Sequence, residues 1–213
     1  MQFAYAKNSA TVKADALIVP VFEGAASFKD YAYGDKLKKL FHKDDFEGKA
    51  GQTLIVPANG AAGAARVVLL GLGKRAKASA QSFGEALAGF FRGGNKLKHG
   101  AIALESVVGL KNTGAEQLGR WAAEGVLLGG YSFDVLITKK EKKKQQATKV
   151  TLAGGPEGQL KKGVAYGSAT AEYTAHARDL VNEPSNRINP ATLSKFAQDM
   201  ARKIPGLTCR VLK

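Results

Sequence analysis

Runs of branched apolar residues predict the buried strands of this chain. The run at 14–22 (ADALIVPVF) suits a strand covered on both faces, and Pro20 limits its far end because proline cannot donate to a strand ladder. Two shorter runs, at 54–56 and 67–70, are separated by the loop-forming residues 57–60 (PANG) and by further small residues. These two strands are therefore expected to lie close together.

Apolar residues at three- and four-residue steps predict helices elsewhere. Ser79 or Ser82 would cap a helix that runs to Arg92, and Asn189 followed by Pro190 is the typical start of another. Strands alternate with helices, which indicates an α/β fold. The remaining predicted elements are helices over 115–129 and 160–181 and short strands at 102–104 and 208–212.

A lysine-rich segment at 139–144 lies between apolar stretches at 133–137 and 150–153. Like charges at this density repel one another and resist burial, so the segment is expected to be a solvated connection. Its lysines would also suit phosphate groups, although few aromatic residues are interleaved to stack on bases.

Composition and charge narrow the class of protein. The 213 residues are 45% hydrophobic and 23% charged, as in ordinary globular proteins. The net charge of +14 favours anionic partners, nucleic acid among them. Neither a signal peptide nor an apolar run long enough to cross a bilayer is found, which predicts a cytoplasmic protein without a membrane partner.

One glycine-rich segment has the spacing of a nucleotide-binding turn. Residues 71–76 (GLGKRA) follow a predicted strand and precede a predicted helix, and they fit the looser dinucleotide pattern. The acidic residue expected about 20 positions later, which would bind the ribose, is missing. A tight turn explains the segment equally simply.

Other reactive side chains do not form a recognisable constellation. The histidines have no second histidine at metal-ligand spacing, the acidic group is explained by a solvated loop, and the single cysteine lies in a predicted apolar strand. The residues alone predict no catalytic site. The side chains considered were His42, His99, His176, Asp44, Asp45, Glu47 and Cys209.

Four segments in order resemble the leucyl (cytosol) aminopeptidase family of metallopeptidases. They are residues 66–74 (RVVLLGLGK), 122–134 (AAEGVLLGGYSFD), 177–186 (ARDLVNEPSN) and Asn189 with Pro190. The resemblance implies a macro-like N-terminal α/β domain with a mixed sheet flanked by helices. It assigns that domain to 1–155, a long linker helix to 156–184, and the first helix and strand of a truncated catalytic domain to 185–213.

The resemblance also implies the chemistry of the parent protein. Family members use two divalent ions, zinc or manganese, to release N-terminal residues from peptides, and they are homo-hexamers. Their ligands come from a motif of the form NTDAEGR and from a lysine-containing glycine-rich stretch, neither of which occurs here. No catalytic, cofactor-binding or metal residue is therefore expected in this chain, which is predicted to be inactive.

For the chain itself the resemblance implies roles in assembly and in access to the active site. It is expected to be a monomer or weak dimer with exposed apolar surface near Phe196, Met200 and Leu212. The family-like residues of the linker and its turn are given structural roles. They are Arg178, Asp179, Asn182 and Glu183, which would fix the linker, and Asn186 and Asn189, which would satisfy backbone groups.

Two alternatives of the binding class remain open. The basic surface would suit nucleic acid, given the charge of +14 and the lysine-rich segment. A macro-like fold would also suit an ADP-ribose or nucleotide pocket near the loop at Gly71, an idea that depends on fold analogy.

Overall fold

The computed structural model describes residues 1–93, 97–137 and 147–212. Two compact units divide the chain, Met1–Glu172 and Tyr173–Lys213, which we call the first and second units. The boundary falls within one long helix, and the domain limits placed at 155 and 184 from the sequence stay a prediction. None of the helices in the described ranges has the length and apolarity to span a bilayer.

A six-stranded mixed sheet forms the centre of the first unit, which confirms the α/β fold class predicted from the sequence. Its order is β1-β6-β5-β2-β4-β3. Every neighbouring pair is parallel except β3 with β4, which are antiparallel, lie side by side as expected and are joined by the loop at 58–65. The strands are β1 (Gln2–Ala6), β2 (Ala16–Phe22), β3 (Thr53–Pro57), β4 (Arg66–Gly73), β5 (His99–Ala103) and β6 (Lys149–Ala153).

Helices cover one face of this sheet. They are α2 (Ala80–Arg92), α3 (Ala115–Gly129) and the first part of α4 (Glu157–Asn182). Phe83, Leu87 and Leu118 are fully buried there against strand residues such as Ile18. The predicted cap is confirmed, because the Ser79 hydroxyl accepts a hydrogen bond from the backbone N–H of Ser82 at 3.2 Å.

The opposite face is covered by shorter elements that the sequence pattern did not predict. A 3-10 helix (Ala25–Asp30) and α1 (Gly34–Lys38) belong to the connection between β2 and β3. Phe28, Tyr31 and Leu37 pack there against the alternate residues of β2, which include Leu17 and Val19. Elements this short carry too few turns to show a helical period.

The second unit contains the end of α4 and helix α5 (Pro190–Lys203). The predicted start of α5 is confirmed: Asn189 Oδ1 accepts hydrogen bonds from the N–H groups of Ala191 and Thr192, both at 3.1 Å. Pro190 occupies the first helical turn.

The strand predicted at 208–212 is wrong, since these residues form neither helix nor strand and are exposed. A strand needs a ladder partner for its backbone groups, and no described neighbour supplies one. Cys209 is accordingly an exposed thiol rather than part of a strand. The apolar stretch at 133–137 likewise forms no strand, whereas residues 150–153 lie within β6.

Candidate functional site

The carboxyl end of β2 is the point where the connections of the sheet part to opposite faces. The chain that leaves β2 enters α1 and packs on one face, whereas the chain that leaves the neighbouring parallel strand β4 enters α2 on the other. In open α/β sheets, ligands bind in the crevice that such a divergence creates. The carboxyl end of β2 is therefore the candidate ligand-binding position of the first unit.

A cavity of about 500 Å³, which we call the β2 cavity, lies at this position. Its floor is aromatic and its rim carries charges of both signs. The lining residues are Val21, Phe22, Glu23, Gly24, Phe28, Lys38, Phe41, Phe46, Glu47 and Lys49.

The rim charges of the β2 cavity are partly paired. Lys49 Nζ lies 2.6 Å from Glu47 Oε2, and this hydrogen bond raises the pKa of Lys49, with smaller contributions from the charges of Glu47 and Glu23. Lys38 forms an exposed ion pair with Asp35 at 3.2 Å. Among the described side chains, which leave out those of 25–27 and 43, Glu23 forms no direct ion pair, and its charge acts on Lys49 at longer range.

The glycine-rich segment at 71–76 borders this region, and its glycines are explained by packing. A Cβ atom on Gly71 would overlap the carbonyl oxygen of Lys49. Gly73 has a φ of +72° and donates its N–H to the carbonyl of Gly48 at 2.9 Å. Helix α2 begins only at Ala80, so the glycines do not stand at its N-terminus.

A buried polar network joins distant parts of the chain at the same edge of the sheet. The Ser9 hydroxyl donates to Glu105 Oε1 at 2.5 Å and lies 2.7 Å from the Tyr33 hydroxyl. The other oxygen of Glu105 is buried without a hydrogen-bond partner in the described part of the molecule. No sequence signal links Ser9 to Glu105, because 96 positions separate them.

Tyr31 and Ser106 form a second buried polar contact nearby. The Tyr31 hydroxyl donates either to the carbonyl of Pro20 at 2.6 Å or to Ser106 Oγ at 2.7 Å. Burial raises the pKa of Tyr31 well above its ordinary value, so the hydroxyl stays protonated as a donor. This contact ties the 3-10 helix region to β2.

The three histidines lie far apart in the chain and in different settings. His42 is exposed, with Nδ1 3.3 Å from Asp44. His99 begins β5, and its Nε2 lies 2.8 Å from Thr151 Oγ1. His176 is in α4, where its Nδ1 is buried without a partner in the described ranges.

The acidic group near His42 has structural contacts. Asp45 accepts a hydrogen bond from the His42 N–H at 3.1 Å, and Glu47 pairs with Lys49. Within the part of the chain that the structure describes, no three His, Cys, Asp or Glu side chains converge as a metal site would require.

The family-like segment at 177–186 lies in the second unit. Glu183 pairs with Arg187 at 3.5 Å across the turn that follows α4, which agrees with a structural role for Glu183. A cavity of about 260 Å³ opens here, lined by His176, Asp179, Leu180, Glu183, Arg187, Ile188 and Phe196. The roles given to Arg178, Asp179, Asn182 and Asn186 stay predictions, and the lysine-rich segment at 139–144 lies outside the described residues.

Comparison with known proteins adds a family relationship. A model of the N-terminal domain of the cytosol aminopeptidase family matches residues 18–140. The probable cytosol aminopeptidase of Solibacter usitatus is 34% identical over 204 residues, which are 94% of this chain and 39% of that protein. That of Aquifex aeolicus is 32% identical over 177 residues, 83% of this chain and 34% of that protein. This chain thus spans well under half the length of these relatives.

Solved structures share the fold. The bottromycin maturation enzyme BotP in complex with Mn superposes with a TM-score of 0.67 at 28% identity, covering 89% of this chain and 36% of that one. A lysine-to-glutamate mutant of tomato leucine aminopeptidase gives a TM-score of 0.70 at 22% identity, covering 95% and 42%, which bears on the fold alone. The family match extends over more than half of the sequence, and the chain belongs to the cytosol aminopeptidase family, whose N-terminal domain it contains.

Proposed function

We propose that this chain is the non-catalytic N-terminal portion of a cytosolic metallo-aminopeptidase. The parent enzyme would release N-terminal residues from peptides with the help of two divalent ions, zinc or manganese. The observation that carries the proposal is the family match at 18–140, in a chain that spans 34–42% of its relatives.

The described side chains do not fit a two-metal centre. Such chemistry needs several carboxylates that converge on ions about 3.5–4 Å apart. No group of three potential ligands converges within the described ranges. The proposal therefore places the ions in a part of the protein that this chain does not contain, and it assigns no catalytic step to these residues.

For the chain itself we propose a part in assembly and in access to the active site. Of the residues near which exposed apolar surface was expected, Leu212 is 79% exposed, whereas Phe196 and Met200 are half-buried. Val181, also in the second unit, is 84% exposed. Large exposed apolar side chains are one feature of surfaces that meet other protein. In the parent these residues would contact further protein of a hexamer, and alone the chain would be a monomer or weak dimer.

Activity of the isolated 213-residue protein tests the proposal. We expect no hydrolysis of Leu-p-nitroanilide above the buffer rate, with Mn²⁺ or with Zn²⁺, whereas the probable cytosol aminopeptidase of Aquifex aeolicus serves as positive control. Sedimentation of the same sample should give monomer or weak dimer. Metal-dependent hydrolysis of Leu-p-nitroanilide would contradict the proposal if its rate per protein molecule stayed the same through successive purification steps.

Nucleic-acid binding is a second candidate function. The net charge is +14, and the exposed lysines of and beside α1 include Lys36, Lys38 and Lys39. Lysines of this kind neutralise phosphates without reading base sequence. We therefore propose it as an electrostatic and sequence-independent activity.

A further inference from the structure

The β2 cavity has no role in the proposed peptidase function. It lies in the first unit, at the divergence of the sheet connections, and its lining combines aromatic rings with both kinds of charge. We infer that the β2 cavity binds a free apolar α-amino acid, with the side chain among the phenylalanines and the ammonium and carboxylate groups at the rim.

The floor of the cavity suits an apolar side chain. Phe22, Phe28 and Phe46 line the cavity although they are almost completely buried as residues, and Phe41 is a fourth phenylalanine in the lining. The volume of about 500 Å³ lies within the roughly 300–1,000 Å³ usual for small-molecule pockets. An aliphatic or aromatic side chain would remove this apolar surface from water.

The acidic part of the rim suits an ammonium group. Glu23, Glu47 and Lys49 lie together, but Glu47 and Lys49 neutralise each other across 2.6 Å. The Glu23 carboxylate, directly after β2, has no direct ion-pair partner among the described side chains, which leave out those of 25–27 and 43, and its attraction to Lys49 is weaker than that of Glu47. A ligand ammonium would supply that partner.

The basic part of the rim suits a carboxylate. Lys38 lines the cavity, whereas its partner Asp35 is not among the lining residues and its side chain is 94% exposed. Exposed pairs of this kind contribute little to stability, so the Lys38 ammonium is available to a ligand at small cost.

Charge complementarity selects a zwitterion over other ligands. The four charged lining residues, Glu23, Glu47, Lys38 and Lys49, sum to zero. A phosphate ester would meet two carboxylates, a fatty acid would make no contact with the charge of Glu23, and a simple amine would make none with that of Lys38. Specificity of this type arises as much from the penalties on wrong ligands as from contacts with the right one.

Free amino acids are also what the parent enzyme would release, and this consequence alone rests on the proposed function. Occupancy of the β2 cavity would then follow product concentration. The binding inference itself depends on the cavity and its charges.

Calorimetry on the 213-residue protein tests the inference. L-phenylalanine and L-leucine should bind at a single site. 2-Phenylethylamine and 3-phenylpropionate, which each lack one charged group, should bind at least about tenfold more weakly. Absence of heat and of NMR shift changes with both amino acids at about 10 mM, or tighter binding of AMP than of L-phenylalanine, would overturn the inference.

Variants locate the site. Glu23→Gln and Lys38→Met should each weaken L-phenylalanine binding about tenfold, while Glu172→Gln and Lys162→Met, which change exposed residues away from the cavity lining, should not. Circular dichroism confirms that each variant is folded. Unchanged affinity in Glu23→Gln would also overturn the inference, whereas turnover of Leu-p-nitroanilide would contradict only the proposed function.

Discussion

Asp15 and His99 join the chain before β2 to the start of β5. Asp15 Oδ2 accepts hydrogen bonds from the N–H groups of Lys98 at 2.7 Å and His99 at 2.9 Å. These hydrogen bonds favour the carboxylate and lower the pKa of Asp15. Partial burial, with the nearby charge of Lys149, lowers the pKa of the His99 imidazole. Both groups therefore release their protons more readily in the folded protein.

This arrangement predicts that stability falls as the pH is lowered. A histidine whose pKa is lower in the folded state is protonated first in the unfolded chain, near its ordinary value of 6.5. Its contribution is complete above that value and is lost as the pH falls towards the folded pKa. Asp15 adds a further loss as the pH falls from its ordinary value of 3.8 through its lowered folded pKa.

Urea unfolding checks this expectation. Between about pH 7.5 and pH 5.5, the loss of unfolding free energy should be smaller in His99→Gln than in the wild type. His42→Gln changes an exposed histidine and should keep the wild-type loss. An identical loss in all three proteins would show that His99 does not carry the effect.

Single residues were predictable from sequence where their partners are near in the chain. The caps at Ser79 and Asn189 each bond to an N–H group two or three positions away, so local spacing identifies them. The Ser9–Glu105 hydrogen bond depends on β1 and β5, which the folded sheet places on either side of β6. Local spacing carries no information about such a pair.

Helices α2 and α3 pack with their backbones in close contact. A Cβ atom on Gly84 would lie 2.6 Å from the carbonyl oxygen of Trp121, and one on Gly129 would lie 2.5 Å from that of Ala88. A Cβ atom on Gly125 would overlap the carbonyl oxygen of Gly84. The obstacles are backbone atoms, which cannot rotate away as a side chain can.

Substitution of these glycines separates packing from helix propensity. Gly125→Ala should lower the unfolding free energy by about 1–3 kcal/mol, because the two helices must move apart. Gly89→Ala lies on the exposed side of α2, where a Cβ atom meets nothing within 4 Å, and should raise it by about 0.5–1 kcal/mol. Urea unfolding followed by circular dichroism measures both. An unfolding free energy in Gly125→Ala equal to that of the wild type would contradict the close contact between α2 and α3.

Elements were predictable where one stretch of sequence decides them. β2 and β4 are continuous apolar runs, and α2 and α3 have a clear helical period. β1 lies at the edge of the sheet and is only partly buried, and its five residues (QFAYA) include no branched apolar side chain of the kind that predicted the other strands. The prediction of a strand at 208–212 was wrong because an apolar run forms a strand only where a neighbouring strand pairs with it.

The molecule as a whole carries 32 basic against 18 acidic residues. Because counterions are released when lysines neutralise phosphates, affinity for nucleic acid falls steeply with salt. A labelled DNA duplex should bind at about 50 mM salt and lose at least about tenfold in affinity by about 200 mM, without preference for sequence. Fluorescence anisotropy measures this. Absence of binding at the lower salt concentration would reject the nucleic-acid function.

Family membership was predictable from the sequence because each of the four family-like segments is a continuous stretch that can be recognised without the fold. The β2 cavity was not predictable, since its lining comes from the end of β2, from scattered positions at 23–41 and from residues 46–49. The charges and the phenylalanines of these segments have no regular spacing in the sequence, and they form one lining only when the connection from β2 to β3 folds.

The divergence of the backbone connections beside β2 has a consequence for how the ligand specificity of this domain can evolve. The β2 cavity arises from the divergence of the backbone connections and does not depend on any single side chain. Replacement of its lining residues would therefore change which ligand binds, while the cavity itself would remain. Descendants of one ancestral domain could therefore exchange ligands at this place, or fill it, without rebuilding the scaffold. The same architecture would then serve unrelated tasks in different proteins.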